Sequence, residues 1–435
     1  MERSRELDSD EQKNAEAEFY AYAARFGLTR EEILAQPVIQ RKTGGETIQA
    51  LRDRLSLATA AMRSKRAATF FDNIKARSRL GQGIHDRLEA YAFADGEFSE
   101  ADLEGMRRHL PIPILFTCTR ELTVEAGACL DLTTYAEEWG LSRGEDLATV
   151  LNVHRLILKK DGKIQVRGNI LVLLCQELIN EGGRIEILPT DYSYENAYAG
   201  SMNGADGQNG QDAGLPKVTP VLPMLSTFLG RFYEGEPVGP LHGADGISGT
   251  DAGNGGKGFC GGALKLAEVN IRKITGVTPL SILIAGGRGG DGGAGGQGGD
   301  GSAGADGGPA YCTFAERVPP GDGGNGGNGG RGGDGGRGGN GGTSSNVYLE
   351  IPDANLVALT VLPGYGGAGG PGGKGGMPGK GGMPGGEEGD CGTDGVAGKD
   401  GKTGAFGWTR PAAAVFICGE RWSMDQQNQN EKETT

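Results

Sequence analysis

The side chains that most often carry out chemistry in proteins are sparse in this sequence and widely separated. The histidines are His85, His109, His154 and His242, and their spacing does not match that of a zinc site. His154 falls in an alternating apolar stretch, which favours a structural role for it. The sequence contains no G-x-S-x-G nucleophile elbow. We therefore predict a non-enzymatic protein without a cofactor or a metal ion.

One segment is similar to the second half of a calcium-binding loop. It reads DGEFSEADL and begins at Asp95. The first and third positions of such a loop would then be Tyr91 and Phe93, whose side chains cannot bind calcium. We interpret the segment as a turn followed by a helix that Ser99 caps.

Carboxylates also recur at regular intervals in the second half of the chain. They include Asp291, Asp300, Asp322, Asp334 and Asp390. Arginines alternate with them, so the pattern is typical of a hydrated surface that resists aggregation rather than of a catalytic or metal site.

Composition limits the class of protein. The chain has 435 residues, of which 83 are glycine, and its net charge is −13, which disfavours nucleic acid as a partner. The N-terminus is polar and acidic, so we expect synthesis in the cytoplasm without a signal peptide. The sequence contains no run of about 18 apolar residues, so we expect no membrane insertion. If the protein acts outside the cell, we expect it in a virion or another exported particle.

Residues 1–110 have a helical pattern. One apolar helical face is formed by Phe19, Tyr22, Ala23 and Phe26. Thr29 and Glu32 then form a T-x-x-E capping box for the next helix. A longer helix is expected from about Glu46 past Ile74. We predict that this region folds by itself as a docking domain for a protein partner.

After Pro113 the apolar period changes to two, which is typical of strands. Short strands are broken by tight turns such as Asp161-Gly162. Similar strand pairs return at 264–284 and 346–362, and a closing strand begins at 414. Widely spaced, similar strand pairs predict a β-solenoid or a stacked β base.

Glycine-rich segments separate these strand pairs and make three excursions of two arms each. The arms span 200–214, 243–262, 286–308, 321–342, 364–386 and 389–407. Each excursion leaves a strand and returns to the next one, so the arms are predicted to be loops anchored on the β base.

Three interpretations of the arms compete. Glycine-rich linkers are usually flexible, but they do not keep a strict period of three. Collagen needs glycine once per triplet and much proline, whereas here two of three positions are often glycine. We favour polyglycine II helices, which have three residues per turn and whose bare faces let neighbouring backbones bond to one another.

The G-G-x blocks resemble those of the glycine-rich tip adhesins of phage long tail fibres. The resemblance rests on GGRGGDGGAGGQGG and GGNGGNGGRGGDGGRGGNGG, within residues 200–407. It implies layers of polyglycine II helices whose distal loops bind a host receptor. The strand pairs at 264–284 and 346–362 and the long helical N-terminus depart from that family.

Six arms on a β base also resemble the N-terminal domain of Obg GTPases, which implies docking on a large intracellular assembly. The GTPase motif is absent: in GVAGKDGKT, Gly395 stands six residues before Gly401, where a phosphate loop needs five. Glycine-rich ice-binding proteins are a third resemblance, but they need a flat face of small or apolar residues. Here the outward positions include Arg288 and Arg331.

Together these patterns predict a multi-domain chain with an α-helical N-terminal domain, then a β-solenoid or stacked β base with an inserted bundle of six polyglycine II helices. The expected domains are 1–110 for docking, 111–199 for solenoid-like strands, 200–413 for the arms, and 414–435 for a closing strand and a polar tail.

We predict a structural and recognition protein whose distal loops bind a cell-surface receptor. The alternative is an intracellular protein whose arms dock on a large assembly. Aromatic residues and arginine anchor binding surfaces because they offer a large contact area. The candidate residues in the turn-round loops are Phe228, Arg231, Phe232, Tyr233, Tyr311, Phe314 and Arg317. These aromatics would equally suit a small core that closes the end of the bundle.

Overall fold

The structure is a computed structural model. It describes residues 2–71, 88–95, 100–107, 109–141, 145–190, 202–215, 224–227, 230–233, 240–276, 278–312 and 317–423. Within these ranges the α-helices are α1 (Glu2–Ala24), α2 (Arg30–Ala35), α3 (Ile48–Leu55), α4 (Ala60–Phe71) and α5 (Glu100–Arg107). A π-helical turn spans Glu89–Phe93, and 3-10 turns span Ala136–Trp139 and Ala354–Leu356.

The strands form two large sheets and two small hairpins. In chain order they are β1 (Val38–Gly45), β2 (Ile112–Val124), β3 (Cys129–Asp131), β4 (Ala148–Leu158), β5 (Lys163–Arg167), β6 (Ile170–Asn180), β7 (Arg184–Leu188), β8 (Met224–Thr227), β9 (Gly230–Tyr233), β10 (Ala267–Gly276), β11 (Leu280–Ala285), β12 (Tyr311–Cys312), β13 (Arg317–Val318), β14 (Val347–Glu350), β15 (Val357–Leu362), β16 (Val415–Ile417) and β17 (Glu420–Arg421).

The larger sheet has eight strands in the order β1-β2-β4-β6-β10-β14-β16-β17. Its six middle strands are parallel, and the outermost strand at each end is antiparallel. The smaller sheet, in the order β15-β11-β7-β5-β3, is parallel throughout. From β2 to β7 the chain alternates between the two sheets, so each sheet gains one strand in turn.

The alternation of side chains along the strands of the larger sheet divides the core in two. In β6, Leu171 and Leu173 belong to a core shared with Ile185 and Ile187 of the smaller sheet. The residues between them, such as Val172, face the N-terminal helices instead. Strands buried on both faces are expected to be apolar throughout, as β6 is.

The predicted fold class is wrong, and the architecture is mixed α/β. Residues 38–45 form β1, which pairs with β2 and so joins the N-terminal segment to the eight-stranded sheet. The helices lie on this sheet rather than in an α-helical domain: Phe19 of α1 shares one core with Phe116 and Val150. A large mixed sheet covered by helices replaces the expected β-solenoid or stacked base.

The capping box of α2 and the Asp161 turn are confirmed, but the long helix from Glu46 is wrong. The chain breaks after α3 because Ser56 is extended. Glu268 of β10 accepts the Leu57 N–H at 2.7 Å, and the hydroxyl of Thr59 then accepts the Met62 N–H at the start of α4. Tertiary bonding therefore overrides the continuous helical pattern of the sequence.

Three excursions leave the sheets after β7, β11 and β15, as the sequence predicts. We number their described parts arm 1 (202–215), arm 2 (240–262), arm 3 (286–308), arm 4 (321–342), arm 5 (364–386) and arm 6 (389–409). We call the turn between the first and the second arm of an excursion its distal end. The arms contain neither α-helix nor extended strand, and their backbone hydrogen bonds go to neighbouring arms.

Candidate functional site: the array of arms and its distal end

The six arms form an array of two rows. Glycine N–H groups of arm 1 donate to arm 3, and those of arm 3 donate to arm 5. The second row runs in the same way from arm 2 to arm 4 to arm 6. Bonds between the rows, such as Gly330 N–H to the Gly299 carbonyl at 2.8 Å, complete the array. The donors that face one given neighbour recur at every third residue, which matches the sequence period.

Glycine is required wherever an arm faces a neighbour. A Cβ atom added at Gly330 would lie 2.0 Å from the Thr250 carbonyl oxygen, and one added at Gly333 would lie 1.9 Å from that of Gly253. Arms 3 and 4 are interior and have two glycines in most triplets, with the exception of 301–306 in arm 3. Arm 6 has neighbours on fewer sides, and from Gly389 to Gly407 it keeps one glycine per triplet. The glycine content of an arm therefore reflects its position in the array.

The polar residues of the triplets connect the arms. Asp334 Oδ1 accepts the Lys402 N–H at 2.8 Å, and Asn328 Oδ1 accepts the Val396 N–H at 2.8 Å, both from arm 4 to arm 6. Asn203 of arm 1 accepts the N–H of Asp291 in arm 3 at 2.9 Å. These side chains do more than hydrate a surface, because they satisfy N–H groups that glycine carbonyls do not reach. The hydrogen bond from Lys402 lowers the pKa of Asp334.

Arm 5 ends its row, and several of its outward N–H groups are capped by side chains or replaced by proline. The equivalent glycines of arm 3, such as Gly289, donate to arm 5. In arm 5 the N–H of Gly375 donates to Asp400 and that of Gly381 to Asp394, each at 2.9 Å. Pro378 and Pro384 stand at the same position of their triplets as Gly375 and Gly381, and proline has no backbone N–H. Such devices are typical of edges that must not pair further.

The arms meet at their distal ends. The Gly308 N–H of arm 3 donates to the Leu241 carbonyl of arm 2, and the Gly385 N–H of arm 5 donates to the Gly321 carbonyl of arm 4. The hairpin β12–β13 lies beside β9 of the hairpin β8–β9. Arg317 of β13 forms an ion pair with Glu388, in the turn between arms 5 and 6, at 3.2 Å. Contacts therefore join all three turn-round segments.

The predicted binding residues have different surroundings at this end. Arg317 is exposed, whereas Tyr311 is only 4% exposed and pairs with Val318 of β13. Arg231, Phe232 and Tyr233 lie on β9, whose backbone pairs with β8. Phe228 and Phe314 lie outside the described residues.

The sides of arms 5 and 6 carry exposed apolar side chains, which sequence reasoning missed. They are Tyr365, Met377, Met383, Val396, Phe406 and Trp408. The signal was present in the sequence, because the third excursion places apolar residues where the second places mainly Asp, Asn, Gln and Arg. Arg337 of arm 4 lies 5.5 Å from the centre of the Trp408 ring.

His154 and Asp95, which could carry out chemistry, instead contact other side chains of the fold. His154 makes an edge contact with Phe19, and burial lowers the pKa of its imidazole. Asp95 forms ion pairs with Arg63 at 3.0 Å and Arg52 at 3.7 Å. Ser99 and the rest of the calcium-like turn lie outside the described residues. Among the residues that the structure describes, no three His, Cys, Asp or Glu side chains could hold a metal ion.

Comparisons with protein-family models, with curated proteins and with solved structures found no match. No helix in the described ranges is long and apolar enough to cross a membrane.

Proposed function

We propose that this is a non-enzymatic recognition protein in which the hydrogen-bonded array presents its distal end to a receptor on a cell surface. The two sheets and the helices act as the base, and the arms act as a spacer. The N-terminal helices and the exposed parts of the base are left to bind a protein partner, such as the particle that carries the protein.

The observation that supports this proposal is the joining of three turn-round segments at one end of the array. The ion pair between Arg317 and Glu388 connects the second excursion to the third, and the contact between β12 and β9 connects the first to the second. A surface built from segments distant in sequence, and held by bonded arms, loses little conformational entropy on binding.

Binding of the labelled full-length protein to a panel of intact bacterial cells tests the proposal. We expect saturable binding to some strains, which Arg317→Ala weakens. The matched control is Lys399→Ala, whose side chain lies on the side of arm 6. Binding that both variants retain equally, or that no strain shows, would contradict recognition by the distal end.

A second candidate function has its own observation. The exposed Met377, Met383 and Trp408 offer apolar contact along the sides of arms 5 and 6. They favour an intracellular protein whose arms insert into a large assembly. Cosedimentation with high-molecular-weight complexes in a cell extract, lost in Met377→Gln/Met383→Gln but kept in Arg317→Ala, would support this candidate against the first.

A further inference from the structure

A cavity lies on the helix-covered face of the eight-stranded sheet, among α4, β14, β16 and the turn that follows β16. Its walls are formed by Met62, Lys65, Arg66, Tyr348, Glu350 and Phe416. The cavity belongs to the base, so it is separate from the distal end, and the inference drawn from it goes beyond the proposed function.

Arg66 is the polar group of the cavity that lacks hydrogen-bond acceptors. Its side chain is only 7% exposed, and Nη1 lies 2.8 Å from Glu268 Oε1, a carboxylate that is fully buried. This contact has the distance of an ion pair without the alignment of a hydrogen bond, and Nη2 has no acceptor in the described part of the chain. Leaving buried N–H groups without acceptors is costly, so such groups call for an explanation.

The neighbouring polar groups are engaged elsewhere. The second oxygen of Glu268 accepts the Leu57 N–H at 2.7 Å. Tyr348 donates its hydroxyl proton to Glu89 at 2.7 Å. Lys65 bonds to the Gly419 carbonyl and pairs with Glu420, each at 2.9 Å. Glu350 is the other carboxylate on the cavity wall, and in the described part of the chain no hydrogen bond joins it to Nη1 or Nη2 of Arg66. An anionic ligand in the cavity would supply the acceptor that Arg66 lacks.

The rest of the wall is apolar and aromatic. The Arg66 guanidinium lies 3.8 Å from the centre of the Tyr348 ring, which stacks on Phe416 at 5.3 Å. Met62 adds a thioether, which adapts its shape to a ligand. A guanidinium beside aromatic rings suits a ligand with a carboxylate on a small apolar body.

We propose that this cavity binds a small apolar carboxylate, with Arg66 as the group that receives its charge and Met62, Tyr348 and Phe416 as the walls around its body. Burial raises the pKa of the Glu350 carboxyl on the same wall.

The methyl resonance of Met62 offers a direct test in the full-length protein. The protein is labelled with ¹³C at its methionine methyl groups and titrated with sodium benzoate, and the resonance is assigned with Met62→Leu. We expect a saturable shift of Met62 and no shift of Met383, which lies on arm 5. Benzyl alcohol, a neutral analogue, is expected to bind at least about tenfold more weakly, since it lacks the charge that a guanidinium binds best.

Two variants separate binding from stability. Arg66→Met/Glu268→Gln removes both charges, so no lone buried charge remains, and the glutamine oxygen can still accept the Leu57 N–H. It is expected to lose the benzoate shift. Phe416→Trp narrows the cavity, leaves the ion pair intact and is expected to weaken binding as well. No saturable shift in the unmodified protein, an equal affinity for benzyl alcohol, or a shift that survives Arg66→Met/Glu268→Gln would overturn the proposal.

Discussion

Asp334 of arm 4 is hydrogen-bonded to the backbone of Lys402 in arm 6: its Oδ1 atom accepts the Lys402 N–H at 2.8 Å. The same relation joins Asn325 to Thr393 and Asp300 to Met377. The short polar side chains of one arm thus satisfy backbone donors of the next. This explains why Asp and Asn recur at the third position of the triplets.

Substitution of Asp334 tests this role. Asp334→Ala removes the acceptor, so we expect the amide hydrogen of Lys402 to exchange with solvent several-fold faster. Asp334→Asn keeps an oxygen at the same place and is expected to retain the protection. Hydrogen exchange at Lys402 measures both. Equal exchange in the two variants would show that the side chain does not hold the neighbouring arm.

The same contact predicts a dependence on pH. The Lys402 N–H stabilises the carboxylate form and lowers the pKa of Asp334 below its unfolded value, which is about 3.9. Its contribution to stability is therefore complete above that value and is lost as the pH falls through the native pKa. Carboxyl ¹³C shifts should report a native pKa below the reference. The stability advantage of the protein over Asp334→Ala should shrink in acid, and an advantage that grows there would contradict the assignment.

Alanine at Gly330 tests the close approach of the arms. Its Cβ would lie 2.0 Å from the Thr250 carbonyl oxygen, so the two backbones would have to separate. We expect the free energy of unfolding to fall by about 1–3 kcal/mol in urea denaturation. Gly214→Ala is the matched control, because no atom lies within 4 Å of its added Cβ. A similar loss in both variants would argue against tight contact between arms.

At the distal end, Tyr311 is buried whereas Arg317 is exposed, so their substitution is expected to affect stability differently. Tyr311→Ala removes a side chain that is 4% exposed and is expected to lower the melting temperature. Arg317→Ala affects a surface residue and should change stability by no more than about 0.5 kcal/mol. Calorimetry of the two variants, beside the cell-binding assay, decides whether Tyr311 is a structural or a contact residue. Loss of cell binding with an unchanged melting temperature in Tyr311→Ala would make Tyr311 a contact residue.

The N-terminal helices are expected to depend on the sheet. Phe26 stacks on Phe116 with the ring centres 3.8 Å apart, and β1 pairs with β2 along its whole length. A fragment of residues 1–110 lacks both partners, so we expect it to lose near-ultraviolet circular dichroism. A fragment of residues 1–190 keeps them and should retain the signal. A folded 1–110 fragment would restore the separate domain that the sequence suggested.

Local features of the fold could be predicted from the sequence. The Thr29 capping box, the Asp161 turn and the strand pairs at 264–284 and 346–362 follow from short-range patterns, and all are present. The edge strand β1 could not be predicted, because it contains Arg41, Lys42 and Gly44 and gains its stability by pairing with a distant strand. The break after Ser56 likewise depends on Glu268, more than 200 residues away.

The candidate site could be located only in part. The G-G-x period marks the arms, and Arg317 is exposed at the distal end. Which arm lies beside which depends on bonds between residues 68 to 88 positions apart, such as Asp322 with Asp390 and Asn203 with Asp291. Periodicity along one arm carries no information on these pairings. The burial of Arg66 could not be predicted from the sequence, because its partner Glu268 lies on a distant strand.

The caps on arm 5 limit how this protein can lengthen over evolution. Each excursion adds one arm to each row, and the strands before it add one member to each sheet. Duplication of one excursion with the two strands before it, at a point before Leu362, would add one arm to each row and one strand to each sheet. Duplication after Pro384 would leave an internal arm in which Pro378 and Pro384 cannot donate to the new neighbour. The last pair of arms is thus a terminus that new copies must precede, and relatives of different length should vary in the number of internal pairs.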